Sequence, residues 1–170
     1  WGQGLAQDVW LLFTEDEEAG SSCGAKVVSE LLKNRNQLPE VVFAPDGGQD
    51  FAFVEKEKGI GSFTVHASGT PAHGSRPWLG RSAIEALYDV RGALARFFPN
   101  PQSEQDWRPS LTMTRVVGGE ANNRIAGAAK GTFDLRFTES WSPGAIRNRI
   151  DEVVTEAGAS ADWHSVEPAT

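Results

Sequence analysis

The sequence has few cysteines and no long apolar stretch, two features that define other classes of protein. It holds one cysteine among 170 residues, so neither an internal disulfide nor a multi-cysteine zinc knuckle can form. We expect Cys23 to be a small helix residue facing the core, and we expect a cytoplasmic location. No stretch of 18 apolar residues occurs, and the first residues, Trp-Gly-Gln-Gly, do not resemble a signal peptide, which predicts a soluble chain.

Basic residues are also scarce relative to acidic ones. The chain has 16 Lys and Arg against 23 Asp and Glu, which gives a formal net charge of −7. This balance argues against nucleic acid and against an anionic membrane as partners. Internal repeats and low-complexity segments are absent from the sequence. The length allows one large or two small domains with a real core.

The first feature of note is an apolar run, Val9 to Phe13, followed directly by acidic residues. An unbroken apolar run is typical of a strand buried on both faces in a parallel sheet. Ligands of open α/β sheets bind beyond the carboxyl ends of the strands, which is where Glu15 to Glu18 would lie. Neighbouring residues in extended backbone point in opposite directions, so Glu17 and Glu18 can have different tasks. A solvated acidic turn is the alternative.

A strand, helix and strand are predicted over the first part of the chain. After the acidic residues comes a short amphipathic helix, with N-cap candidates Ser21 and Ser22, that ends at Asn34. The apolar run Val41 to Ala44 then leads to Asp46. A right-handed crossover brings the ends of both strands to one edge of a sheet. The carboxylates that follow the two runs then converge, and oxygen-rich clusters of this kind suit divalent metal ions.

From about Gly59 the hydrophobic period changes, and residues 59 to 166 predict the ferredoxin-like order β-α-β-β-α-β. The predicted elements are a strand in which Phe63, Val65 and Ala67 face inwards, a helix from Ala83 to Phe97, strands at Leu111 to Val117 and Thr132 to Thr138, a helix capped by Ser142 and closed by Gly158, and a strand at Ala161 to Val166. Gly118 to Ala129 is predicted to be a long loop. RNA-recognition modules share this architecture, but their outer face carries stacking aromatics, and here Thr132 and Asp134 occupy it.

Five short motifs follow one another in this chain. In this order they resemble the dinuclear-zinc exopeptidase and deacylase family, which includes acetylornithine deacetylase, succinyl-diaminopimelate desuccinylase, carboxypeptidase G and several dipeptidases. The resemblance covers essentially the whole chain. The motifs are Thr14-Glu15-Asp16-Glu17-Glu18-Ala19-Gly20, Asp46-Gly47-Gly48, Ala72-His73-Gly74-Ser75-Arg76-Pro77, Gly118-Gly119-Glu120-Ala121-Asn122-Asn123-Arg124-Ile125 and Phe133-Asp134-Leu135-Arg136.

The resemblance implies a fold and an activity. It implies part of a parallel-sheet catalytic domain over residues 1–58, a ferredoxin-like lid and dimerisation domain over 59–166, and the start of a return to the catalytic domain at 167–170. It implies hydrolysis of an amide bond by water activated on two zinc ions, with cobalt or manganese as alternative metals. It also implies a homodimer formed through the lid domain.

The resemblance also implies roles for single residues. Glu17 matches the general base, and Glu18 and Asp46 match metal ligands. His73 matches a histidine that, in family dimers, reaches into the partner's site and stabilises the oxyanion. Residues that hold the substrate are matched by Asn123 and Arg136, and an arginine fork suits a substrate carboxylate.

Each role has a simpler alternative. His73 is otherwise a loop histidine without a task, Asn123 a turn residue, and Arg136 an exposed strand residue that pairs with a nearby acid. His66 and His164 have no motif partner and are predicted to be structural.

The sequence also departs from the family. The usual Asn-Val-Ile-Pro is Asn123-Arg124-Ile125-Ala126 here, and the amino-terminal His-x-Asp, the bridging aspartate and the carboxy-terminal histidine ligand have no counterpart. Because zinc sites use three or four protein ligands, we expect a segment of such an enzyme that is inactive by itself. The resemblance favours small peptides as substrates, because family members that act as dipeptidases or aminopeptidases tend to have aspartate at the position that Asp46 matches, whereas many deacylases and carboxypeptidases have glutamate. N-acyl amino acids are the alternative, and a non-catalytic dimerisation module is the alternative of another class.

Overall fold

The structure is a computed structural model, and it describes residues 9–15, 23–44, 54–103 and 105–170. The chain divides into two compact units, Trp1–Gln49 and Asp50–Thr170. The predicted functional division near residue 58 stays a prediction.

The described part of the first unit contains one helix, α1, which spans Ala25–Asn34. Gly24 is its N-cap, so the cap lies two residues or more beyond the predicted serines, which fall outside the described residues. Cys23 is exposed and precedes the helix, so the prediction that it faces a core from within the helix is wrong.

The two apolar runs of the first unit do not form strands in the described residues. Val9 to Phe13 and Val41 to Ala44 have no assigned strand, and their large side chains are exposed, up to 86% for Phe13. The prediction of two buried parallel strands is therefore wrong for this structure. The physical reason is that a parallel strand takes its hydrogen bonds and its burial from neighbours on both sides, and the described residues of this unit place no strand beside either run.

The second unit is the predicted ferredoxin-like domain. Its four strands form one antiparallel sheet in the order β2-β3-β1-β4. The elements in chain order are β1 (Gly59–Ser68), a short 3₁₀ helix (Pro77–Leu79), α2 (Ala83–Phe97), β2 (Ser110–Gly118), β3 (Ala128–Phe137), α3 (Pro143–Glu156) and β4 (Ser160–Glu167).

Both helices pack on one face of the sheet and enclose the core. The aromatic rings of Phe63 in β1 and Phe133 in β3 stack with centroids 5.2 Å apart, and Trp163 in β4 packs against Phe63 at 4.7 Å. The predicted inward face of the strands is confirmed by burial. The largest fully buried side chains are Phe63, Val65, Leu87, Val90, Leu94, Phe98, Phe133, Leu135, Phe137, Ile146, Ile150 and Val154.

Local capping explains where the two helices begin and end. Ser82 and Ser142 each accept a hydrogen bond from the backbone N–H three residues on, as N-cap residues do. Gly158 has φ 76° just after α3, and the Ala159 N–H reaches the Val154 carbonyl at 3.0 Å, which closes the helix as predicted. The strand β3 begins at Ala128, four residues before the predicted start at Thr132. The sequence does not predict this first part of the strand, because Ala128 to Gly131 include no large apolar residue.

A charged cluster fixes the segment that enters β1. Glu139 accepts from Lys56 at 2.7 Å with one oxygen and from the Trp107 indole N–H at 3.1 Å with the other. These hydrogen bonds stabilise the carboxylate and lower the pKa of Glu139 from 4.5 to about 2. Lys58 donates to the Arg108 carbonyl at 2.8 Å beside them.

The lowered pKa of Glu139 predicts a pH dependence of stability. A carboxyl with a lower pKa in the folded state stabilises the fold fully above its unfolded pKa, here 4.5, and loses that contribution as pH falls towards about 2. We therefore expect the difference in unfolding free energy between wild type and Glu139→Gln to shrink over this window. Urea denaturation of both proteins at several pH values measures it. A difference that grows as pH falls would contradict the assignment.

Candidate functional site

The strand pair β1–β3 continues past the end of the sheet and carries two predicted site residues. The Gly69 N–H donates to the Gly127 carbonyl at 2.9 Å, and the Ile125 N–H donates to the Ala72 carbonyl at 2.8 Å. His73 and Arg124 then form a β-bridge, and the Gly74 N–H donates to the Asn123 carbonyl at 2.7 Å. The two loops are thus a narrow ribbon with His73 and Asn123 diagonally next to each other at its outer end.

This ribbon is tied to the helix layer at its base. The Ala126 carbonyl accepts from the Ala83 N–H, the first residue of α2, at 2.9 Å. Thr70 and Arg81 exchange two backbone hydrogen bonds, of 2.8 and 2.9 Å. Gly69 is required where these segments cross, since a Cβ there would collide with the Arg81 carbonyl. The ribbon is therefore held by backbone contacts on both sides.

The His73 side chain is exposed, and its ring is held by Ser75, two positions further along the chain. Its Nδ1 lies 2.8 Å from the Ser75 Oγ and accepts from the Ser75 backbone N–H at 3.2 Å. Its carbonyl accepts from the Arg76 N–H at 2.8 Å, which tightens the turn that brings Ser75 back to the ring.

A small cavity lies against the inner part of the ribbon. It has a volume of about 140 Å³ and is lined in part by Pro71, Glu120, Arg124 and Ile125. Arg124 forms an ion pair with Glu120 at 3.3 Å, so the wall of the cavity contains one positive and one negative side chain. A cavity of this size takes a group about as large as a benzene ring.

Arg136 lies at the other end of the sheet. It stands in β3 opposite Ile60 of β1 and Ser110 of β2, and its Nε donates to both oxygens of Asp134, at 3.0 and 3.2 Å. It lies eight positions along β3 from Ala128, where the ribbon begins, and at about 3.4 Å per position this is about 27 Å. The structure brings His73 and Asn123 together but keeps Arg136 away from both.

The other predicted site residues, Glu17, Glu18 and Asp46, lie outside the described residues. Within the described ranges, no three His, Cys, Asp or Glu side chains are grouped so that they could hold a metal ion.

The two remaining histidines have structural partners on the outer face of the sheet. His66 contacts Asp162 at 3.1 Å, and His164 contacts the Thr64 hydroxyl at 2.9 Å, which in turn lies 3.1 Å from the Thr132 hydroxyl. These polar groups cover the face that an RNA-recognition module would line with aromatics.

Two residues beside the site were not singled out from the sequence. Ser75 and Asp134 each contact a predicted site residue two positions away. For Asp134 the spacing itself indicates the contact, because residues i and i+2 of a strand share a face. For Ser75 the contact depends on a turn that no sequence pattern specifies.

A four-stranded antiparallel sheet covered by two helices, with a loop ribbon at one end, defines this unit as a ferredoxin-like domain. Residues 56–162 match the family model described as a peptidase dimerisation domain of the M20 group. This match covers more than half of the chain, which therefore belongs to the M20 peptidase dimerisation domain family.

Curated relatives agree with this. The chain is 31% identical over 163 residues to a succinyl-diaminopimelate desuccinylase of Gluconobacter oxydans, covering 93% of this chain and 43% of the relative. It is 31% identical over 156 residues to a probable carboxypeptidase of Aspergillus terreus, covering 86% and 35%. The chain thus spans less than half the length of these relatives.

The fold is shared with a hydantoinase/carbamoylase family amidase from Burkholderia ambifaria, with a TM-score of 0.51 at 23% identity over 67% of this chain and 29% of that one. The related Burkholderia phymatum amidase gives 0.51 at 15% identity, over 68% and 30%. Among the described residues, no helix combines the length and the apolar character needed to cross a membrane.

Proposed function

We propose that this chain is the lid and dimerisation part of a dimeric, metal-dependent hydrolase of amide bonds in small peptides. We propose further that each lid serves two active sites, its own and its partner's. The observation that carries this proposal is the separation of the substrate-binding candidates. His73 and Asn123 are adjacent in the ribbon, whereas Arg136 is about 27 Å or more away along β3.

This separation exceeds the reach of one small substrate. A dipeptide in extended form spans about 7 Å, so it cannot contact both ends of the sheet in one protomer. In a two-fold dimer the ribbon of one protomer is free to reach the site to which the other protomer's Arg136 contributes. The proposed assignment is therefore that Arg136 acts within its own protomer, and His73 and Asn123 act across the interface.

The proposed roles follow from the chemistry of each side chain. The imidazole of His73 is a hydrogen-bond donor for the oxyanion that forms when water attacks the amide carbonyl. The carboxamide of Asn123, which lies on the neighbouring strand of the ribbon, is proposed to bind another polar group of the substrate. Asp134 engages the Nε of Arg136, and within the described ranges no residue bonds its two terminal amino groups, which we propose bind a substrate carboxylate. Glu17 as the general base stays a prediction.

The metal requires more ligands than the resemblance assigns to this chain. The resemblance gives it Glu18 and Asp46, whereas zinc sites take three or four protein ligands, and the described residues add no metal-binding group. The residues present do not complete a zinc site, so we assign no catalytic step to a metal held by this chain alone.

A metal-binding measurement tests the incomplete site. We expect the isolated chain to retain less than one tightly bound zinc ion per molecule after dialysis, and we expect Glu18→Ala to change nothing, because two carboxylates bind zinc weakly. Elemental analysis of zinc-loaded protein measures the stoichiometry. Two bound ions that are lost in Glu18→Ala would show that the chain completes a site and should be assayed at once as a peptidase.

The edge strand β2, together with α2, is the proposed dimer surface. In the sheet order β2 has one neighbour, so its outer edge has no strand partner among the described residues, although the Leu111 N–H there donates to the Asn100 side chain. Val116 and Val117 near its end are 42% and 44% exposed, and Tyr88 on α2, which packs against β2, is 56% exposed. Apolar side chains beside an open strand edge suit pairing with a second copy of the same surface.

Charge placed on this edge is expected to dissociate the dimer. We expect wild type to sediment as a dimer without added metal, and the double variant Val116→Lys, Val117→Lys to sediment as a monomer, because four like charges would meet across a two-fold axis. The matched control is Ser165→Lys on the opposite edge strand, β4, which should leave the dimer unchanged. Analytical ultracentrifugation reads all three. If the double variant remains a dimer and Ser165→Lys becomes a monomer, the proposed interface at β2 is wrong and the dimer forms through β4.

The substrate class rests on the same site. Peptides are proposed because of Asp46 and because Arg136 suits a terminal carboxylate. N-acyl amino acids are the second candidate, since they carry the same carboxylate and since one relative is named a desuccinylase. A screen of the full-length protein, loaded with zinc, cobalt or manganese, with dipeptides and N-acyl amino acids tests the proposal. If no substrate is hydrolysed in a metal-dependent way, the proposed activity is wrong, and the alternative of a non-catalytic dimerisation module is favoured. The cytoplasmic location stays a prediction.

A further inference from the structure

We propose that Ser75 is a positioning residue that holds the neutral ring of His73 in the tautomer with its proton on Nε2. This inference rests on the proposed function only for its effect on turnover. The geometry of the ring and the hydroxyl carries it independently, because both contacts lie within one turn of the chain.

The two contacts to Nδ1 identify the tautomer. The Ser75 backbone N–H lies 3.2 Å from Nδ1 and can only donate, so Nδ1 must present its lone pair. A proton on Nδ1 would face that N–H at this distance and repel it. With Nδ1 as acceptor, the Ser75 hydroxyl at 2.8 Å also donates to it. The proton of the neutral ring is then on Nε2.

The rest of the loop leaves Nε2 for another molecule. None of the described residues makes a hydrogen bond or an ion pair with Nε2, and the His73 side chain is exposed. The backbone of His73 is fixed by its bridge to Arg124. The ribbon therefore presents one ring nitrogen, and Ser75 determines that this nitrogen is a donor.

The tautomer matters for the proposed chemistry because an oxyanion requires a donor. A ring with its proton on Nδ1 would direct a lone pair at the developing negative charge and would oppose the reaction. The hydroxyl of Ser75 thus acts on turnover through His73, without touching the substrate.

Three substitutions separate the possible roles of the hydroxyl. Ser75→Thr keeps the hydroxyl, and Ser75→Ala removes it but keeps the backbone N–H. Ser75→Asp replaces a donor by a carboxylate that accepts, so it should draw the proton to Nδ1. Ser75 is exposed in the loop, so the fold should tolerate each of the three changes.

Nitrogen NMR of the isotopically labelled chain reads the tautomer directly. At a pH of about 9, where imidazoles are neutral, we expect Nδ1 of His73 to have an acceptor-type shift in wild type and Ser75→Thr. We expect a partial change in Ser75→Ala and a donor-type Nδ1 in Ser75→Asp. His73→Gln assigns the signal among the three histidines of the chain. A proton on Nδ1 in wild type would overturn the proposal. An unchanged tautomer in Ser75→Asp would refute the role of the hydroxyl, because the backbone N–H that this variant keeps would then hold the tautomer by itself.

Kinetics of the full-length protein then separate this inference from the proposed function. We expect kcat to fall by about 10²-fold in Ser75→Asp, with KM little changed and with Ser75→Thr close to wild type. A switched tautomer with an unchanged kcat would refute the role of His73 as oxyanion donor, and with it any effect of Ser75 on turnover. An unswitched tautomer would refute the positioning role of the Ser75 hydroxyl whatever the rate.

Discussion

Replacing His73 by alanine in the full-length protein is expected to lower kcat by about 10²–10³-fold, the usual loss when one oxyanion donor is removed. KM should change little, because the donor acts on a charge that exists only in the transition state. The ribbon itself should persist, since it is held by backbone hydrogen bonds that the substitution leaves in place. Steady-state kinetics on the best substrate from the screen provide the measurement.

The matched control for this variant is His66→Ala. His66 is also exposed and also lies in the second unit, but it stands within the sheet, seven positions before His73, and its partner is Asp162. We expect it to retain wild-type kcat. Equal losses in both variants would mean that the effect arises from general disturbance of the lid, and the assignment of His73 would fail.

Replacing Phe133 by alanine is expected to destabilise the second unit by about 3–5 kcal/mol. Phe133 is 1% exposed and stacks on Phe63 between the sheet and the helices, so its removal leaves a cavity that rigid neighbours cannot fill. Urea denaturation followed by tryptophan fluorescence measures the loss, with Trp163 against Phe63 as a local reporter.

Phe97 supplies the control for this prediction. It has the same side chain but is 46% exposed, near the end of α2, where it contacts Arg149. Phe97→Ala should cost less than about 1.5 kcal/mol, because half of the ring is already in water. Similar losses for the two variants would contradict the core described for this unit.

The second unit could be predicted from the sequence because all partners of its strands lie within it. Alternation at Phe63, Val65 and Ala67, and at Phe133, Leu135 and Phe137, marks one buried face, and serines and a glycine mark the helix ends. The apolar runs at 9–13 and 41–44 have the composition of buried strands but no strand beside them in the described residues. The apolar pattern of a segment predicts that its side chains prefer to be buried, but the segment forms a strand only where a neighbouring strand pairs with it.

The candidate site could be predicted only in part. The resemblance selected His73, Asn123 and Arg136, but it did not give their relative positions. The adjacency of the first two depends on the register of the ribbon beyond the sheet, and the distance of Arg136 follows from the antiparallel order of β1 and β3. The register and the order of the strands are determined by the packing of the whole unit, and a local stretch of sequence does not predict that packing.

The central claim is that Arg136 and His73 of one chain serve different active sites of a dimer. Arg136→Ala and His73→Ala full-length proteins should each be nearly inactive alone. After they are mixed and allowed to exchange subunits, one site of each mixed dimer has both residues intact, so activity should recover to about a quarter of wild type. Recovery of that size is the result the proposal predicts. If the mixture stays as inactive as its components, although mixed dimers have formed, both residues serve one site and the claim is wrong.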